Sequence, residues 1–167
     1  MPIDPQDKEK LLNIILRNVT NYQEAKLHSE EIDLFLGFNI NEIEQKLIEN
    51  KIEEQDKKKW TGLSPQIFQT PYSELIEFIK IINPNEKDIW VDLGAAYGRL
   101  GIILYLLKPQ MKFIGYEIVN ERVIEAKKIY QLWEMKNATI FNDDISLNQF
   151  NLPLADLYFI YDFGSKN

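Results

Sequence analysis

The sequence predicts an α/β fold: a parallel sheet flanked by helices, preceded by an N-terminal helical segment. Three observations carry this. The run Ile89-Trp90-Val91 ends in a carboxylate, Asp92, and leads through a small-residue loop into an apolar helical pattern from Leu100 to Leu107, the strand–loop–helix order with which an open sheet builds a crevice. Further short apolar runs alternate with segments of helical period down to residue 161. Residues 4–60 hold a single glycine, Gly37, and carry apolar residues at helical spacing.

In chain order, Leu11, Leu12, Ile15 and Leu16 mark a first helix. Tyr22, Ala25, Ile32, Phe35 and Leu36 mark a second, stopped near Gly37. Asn39 or Asn41 caps a third, with Ile40, Ile43, Leu47, Ile48 and Ile52 on one face. These helices are expected to pack against the sheet or cover its cleft, with His28 an ordinary surface or partly packed residue. Residues 60–69 read as a loop, which sets the boundary between a helical segment, 1–60, and a sheet domain, 61–167. Thr70 then caps a helix with Pro71 at its first position, closed by Asn83-Pro84-Asn85. Strands are predicted at 88–93, 112–117, 138–142 and 156–161, and helices at 98–107 and 120–135. The latter turns Val123, Ile124, Ala126, Ile129, Tyr130 and Trp133 to the sheet.

Composition narrows the function. Cysteine is absent and histidine occurs once, which excludes disulfides, thiolate metal sites and a His-rich metal site. No run of about 18 apolar residues exists to span a membrane, and the polar, acidic start lacks a signal-peptide pattern. A cytoplasmic protein is the expectation. The net charge of −7 disfavours nucleic acid as partner and suits a cationic one. Lys57-Lys58-Lys59 sits beside Glu53, Glu54 and Asp56 and reads as a solvated helix end.

The chemistry gathers at strand tips. Gly94 admits backbone angles closed to other residues, and Ala96 and Gly98 leave little side chain between backbone and ligand. Glu117, at the tip of the second strand, is placed to accept hydrogen bonds from both hydroxyls of a ribose, or else to cap the next helix. Asp143 and Asp144 follow the third strand, where a plain Asx turn is the other reading.

The segment Asp92-x-Gly94-x-Ala96-x-Gly98 resembles the acid-x-Gly-x-Gly-x-Gly loop of the class I, Rossmann-like S-adenosylmethionine (SAM) dependent methyltransferases, with alanine at the middle glycine. The nicotinamide fingerprint, with its G-x-G-x-x-G spacing, fits less well. The resemblance covers residues 68–165 and implies a SAM site. Asp92, Gly94, Ala95, Ala96 and Gly98 would hold the methionine portion, joined by Gln69, Thr70 and Tyr72. Glu117, with Ile118 beside it, would take the ribose, and Asp144 and Ile145 the adenine. Asp162 and Tyr161, with Tyr72 and Phe163, would frame the acceptor. The flow of motifs is most similar to protein-lysine methyltransferases, including those acting on histones, which implies a protein lysine as acceptor.

The family sheet has seven strands and this chain supplies four. A strand of the pattern Leu157-Tyr158-Phe159-Ile160-Tyr161 should be buried on both faces. The expectation is therefore a truncated domain, or pairing of the strand-four edge with another copy of the chain. The rival readings are a SAM-binding remnant without turnover, a nicotinamide-dependent oxidoreductase and a helical adaptor.

Overall fold

The structure is a computed structural model that describes residues 4–50 and 68–160. Residues 60–67 of the expected loop, the basic triplet at 57–59 and Ile52 lie outside the described residues; of the loop's last two residues, Phe68 is helical and Gln69 a bend. Three helices open the chain: α1 (Pro5–Ile15), α2 (Tyr22–Leu36) and α3 (Ile40–Asn50). Asp4 caps α1 by accepting from the Gln6 N–H at 2.9 Å. Asn21 caps α2 through the Glu24 N–H at 3.0 Å, and the Glu24 carboxylate returns to the Thr20 N–H at 2.8 Å. Such reciprocal bonds satisfy donors that a helix start would otherwise strand. Gly37, in the left-handed region at φ 87°, ends α2.

Helix α4 (Tyr72–Ile82) precedes β1 (Ile89–Leu93), α5 (Arg99–Leu107), β2 (Lys112–Glu117), α6 (Asn120–Leu132), β3 (Ala138–Asn142) and β4 (Leu157–Phe159). The start of α4 corrects the sequence reading: Pro71 is the N-cap, no side chain caps the helix, and Thr70 stands outside it. The sheet is parallel throughout, in the order β3-β2-β1-β4. Trp90, Phe113 and Leu157 share one face by register. There Phe113 meets Tyr130 of α6 edge-on, and Phe159 meets Phe78 of α4.

On the other face Tyr116 stacks on Phe141 and takes Phe150 against its ring. Val91 on that face is fully buried, but strand β4 departs from expectation in two respects. Strand β4 is three residues long, and Tyr158 and Ile160 are 42% and 58% exposed, so burial on both faces does not hold for the described part of this strand. Ile124 of α6 is likewise 59% exposed. It lies one residue beyond Val123, about 100° around the helix from the buried stripe of Val123, Ala126, Ile129 and Tyr130.

The N-terminal helices are fastened to the sheet domain through buried charges. Asp33 of α2 pairs with Arg99 of α5 and accepts from the Tyr72 hydroxyl of α4 at 2.8 Å. Glu44 of α3 is bonded twice by Arg122 of α6, at 2.8 and 3.1 Å. His28, expected near the surface, is buried instead, with Nε2 donating to the Ile14 carbonyl at 2.7 Å. That bond joins α2 to the end of α1. Among the described residues no helix is long and apolar enough to cross a membrane.

Candidate functional site

The loop between β1 and α5 stands at the carboxyl end of an inner strand, where the sheet order reverses direction from β1–β2 to β1–β4. This is the topological switch point at which open α/β sheets bind ligands. The loop takes positive φ at every second residue: 97° at Gly94, 47° at Ala96 and 73° at Gly98. It is anchored by the Tyr116 carbonyl, which accepts from the N–H groups of Gly94 and Ala95 at 2.9 and 2.8 Å. The Ala96 N–H donates to Glu117 Oε2 at 2.9 Å, and the Gly98 N–H to the Ala95 carbonyl at 2.7 Å. These amides are therefore spent within the protein, and a ligand meets the loop at its surface. Gly94 is exposed, with no heavy atom within 4 Å of where a Cβ would stand, so the backbone is open to close approach there.

Ala96 holds a conformation that costs a residue with a Cβ about 1–2 kcal/mol; it is largely buried and shares the cleft wall with Gly94 and Ala95. Gly98 is required on two counts. Its φ is left-handed, and a Cβ would collide with Tyr130 Oη, whose hydroxyl donates to the Gly98 carbonyl at 2.7 Å. Gly98→Ala should therefore destabilise the protein by about 2–4 kcal/mol, combining the left-handed penalty with overpacking, read as a drop in denaturant midpoint at unchanged slope.

A cleft of about 40 Å³ opens beside the loop, lined by Gln69, Thr70, Asp92, Gly94, Ala95 and Ala96. Phe68, Leu75, Arg99, Leu100 and Phe159 complete the lining. Of these, Phe159 is the described neighbour from β4, and Arg99 is a residue that sequence reasoning did not select. Asp92 is buried in the cleft wall. Burial, and then the charge of Glu117, push its carboxyl up to about 8, so it is largely protonated at neutral pH.

Glu117 is 6% exposed and sits behind the loop. Its Oε2 accepts from Ala96 and its Oε1 from the Val119 N–H at 2.9 Å. Two neutral backbone donors thus orient the carboxylate; the helix-capping alternative does not hold, since no side chain caps α6, whose N-cap is Val119. Ile118 is half-buried; its carbonyl, with that of Glu117, accepts from Asn142 Nδ2 at 3.0 Å.

Gly98, Glu117 and Ile118 are not part of the cleft lining, and other expected site residues also stand apart from it. Tyr72 is fully buried and is not part of the cleft lining; its hydroxyl is given to Asp33 and its ring lies 4.9 Å beneath the Arg99 guanidinium. Asp144 Oδ1 accepts from the Ser146 N–H at 2.9 Å, an Asx turn, and Ile145 beside it is half-buried. Neither lines the cleft. The Asp143 N–H donates to the Glu117 carbonyl at 3.1 Å. Tyr161, Asp162 and Phe163 lie outside the described residues. Sequence reasoning also missed Glu44 and Arg122. A glutamate and an arginine inside otherwise apolar helical stripes are a signal in hindsight, although their partners were not readable.

No family model and no curated protein matches the chain. Solved structures do. The C-terminal domain of precorrin-6Y C5,15-methyltransferase from Rhodobacter capsulatus is 17% identical over 58% of this chain and 52% of its own, with a TM-score of 0.50. Precorrin-6Y C5,15-methyltransferase from Geobacter metallireducens is 14% identical over 57% of this chain and 51% of its own, TM-score 0.49. Coclaurine N-methyltransferase bound to N-methylheliamine and SAH is 11% identical over 93% of this chain and 49% of its own, TM-score 0.49. The chain thus spans about half the length of each. At such identities the likeness is one of fold alone: a parallel α/β sheet with flanking helices.

Proposed function

We propose that this chain forms the cofactor half of a SAM-dependent methyltransferase. The observation that carries the reading is the loop at the switch point: left-handed backbone at 94, 96 and 98, an open face over Gly94, and a buried acid, Glu117, bonded directly to the loop. The residues fit the group. Gly94 admits backbone contact, Asp92 supplies a buried carboxyl beside the cleft, and Glu117 retains acceptor capacity beyond its two backbone bonds, since a carboxylate has about four lone-pair sites.

When bound, SAM supplies a methyl group activated on a sulfonium. The chain's own work is positioning, a contribution that reaches about 7–11 kcal/mol in favourable cases. Loop 94–98, with Gln69 and Thr70, would hold the methionine portion, and Glu117 the ribose hydroxyls. Asp144 and Ile145 would flank the adenine. Asp92 favours a cationic group, because ionising next to a cation offsets the burial that holds its proton.

For the acceptor we propose a protein lysine, framed by Tyr161 and Asp162. The support is the net charge of −7 and the resemblance of the motif order. Such an amine must be neutral to attack, which desolvation promotes. Incubating the chain with methyl-labelled SAM and a cell extract tests this: label on lysine supports the reading, and label on small molecules alone refutes the lysine acceptor. Glu117→Ala should weaken SAM binding by about 1–3 kcal/mol, the loss expected for hydrogen bonds to a charged acceptor; unchanged affinity would remove Glu117 from the site.

A further inference from the structure

Resting on the cofactor reading above, we infer that Glu44 of the N-terminal helix α3 is a positioning residue for the ribose acid: it holds the Arg122 guanidinium off Glu117. The geometry is a competition for one cation. Arg122 Nε and Nη2 bond Glu44 Oε1 and Oε2 at 2.8 and 3.1 Å, whereas its Nη1 stands 3.8 Å from Glu117 Oε1. That distance is too long for a hydrogen bond. All three side chains are buried, so no water screens the contest.

A guanidinium prefers to grip a carboxylate with two parallel N–H groups. Were Glu44 absent, Glu117 would be the neighbouring carboxylate able to receive that fork, and a fork on Glu117 would occupy the acceptor positions that two ribose hydroxyls need. With Glu44 in place, the close donors on Glu117 are the Ala96 and Val119 amides, one to each oxygen. The ligand-facing capacity is then preserved while the nearby cation keeps the carboxylate company. Two further contacts fix the arrangement. The Tyr97 hydroxyl, from within the glycine loop, donates to Glu44 Oε1 at 2.8 Å. The ring of Phe68 lies 4.1 Å from the guanidinium carbon of Arg122. Helix α3 therefore touches both halves of the proposed site, the loop through Tyr97 and the ribose acid through Arg122. In this arrangement Arg122 competes with a bound ribose for Glu117.

The test is calorimetric binding of SAH and of adenosine to the 167-residue chain carrying Glu44→Gln, alone and together with Arg122→Met. Glutamine keeps the shape and removes the charge. The single variant should bind both ligands roughly tenfold more weakly, the worth of one hydrogen bond to a charged group. The double variant should recover to within roughly threefold of wild type, because the competitor is gone. A purely structural role predicts the reverse, with the double variant no tighter than the single. If Glu44→Gln fails to fold, the double variant, which removes both buried charges and is easier to accommodate, decides alone: near-wild-type binding supports the inference, and loss of binding by the folded protein overturns it. Wild-type chain that binds neither ligand would sink the cofactor reading itself, whereas wild-type binding with an unaffected Glu44→Gln would sink only this inference.

Discussion

Asp33→Ala should lower the unfolding free energy by about 3–5 kcal/mol, the loss typical of removing one partner from a buried ion pair. Asp33 and Arg99 side chains are 7% and 3% exposed. Without the carboxylate, Arg99 keeps a buried charge and the Tyr72 hydroxyl loses its acceptor. Arg99 Nη1 also donates to the Thr70 carbonyl at 3.3 Å, a neutral acceptor. The pair ties α2 to the first residue of α5 and, through Tyr72, to the first residue of α4, so the loss extends to the cleft wall. Denaturant unfolding measures it. The internal control is the exposed Arg17–Glu31 pair, with both side chains nearly half exposed. Glu31→Gln should cost less than about 1 kcal/mol. Equal losses in the two variants would show that burial does not set the energy.

Asp92→Asn should stabilise the protein, increasingly so as pH rises. Burial, then Glu117, raise the folded carboxyl to about 8 from an ordinary 3.8. The folded state therefore keeps a proton that the unfolded chain releases. Stability from this group is fully present below pH 4 and falls as pH climbs toward 8, above which no more is lost. At pH 7 the loss is on the order of 4 kcal/mol. Asparagine has no such proton, so the gap between variant and wild type should open between about pH 4 and pH 8. Midpoints at pH 5, 7 and 9 read it directly. A constant gap would mean that the carboxyl titrates in its ordinary range. The same change should weaken binding of a cationic ligand, since an acid held at a site against its stability is a common trade of stability for function.

The sheet was legible because its signal is local. Ile89-Trp90-Val91-Asp92 followed by small residues fixes a strand and a tight loop within a dozen positions, and β1, β2 and β3 fall where the apolar runs place them. Strand β4 was overread, since 157–161 is apolar throughout while its burial depends on neighbours far along the chain. The links between segment and sheet were illegible for a related reason. Arg99 meets Asp33 across 66 residues and Arg122 meets Glu44 across 78, and no periodicity encodes which buried charge finds which. Tyr72 shows the consequence. A Thr-Pro-Tyr start looked ligand-facing, yet the Asp33 carboxylate, invisible in the local sequence, turns the phenol inward. Gly94 and Glu117 were selected by residue type and position, and the structure places the first in the β1–α5 loop and the second bonded to it. The engagement of the Ala96 amide by Glu117 depends on how β1 and β2 register and could not be read.

The most direct measurement is a calorimetric titration of the wild-type chain with SAM, with SAH and with NAD under one buffer. The chain should bind SAM and SAH saturably at one site and give no heat with NAD. Binding of NAD without SAM or SAH, or silence from all three in a folded chain, would contradict it.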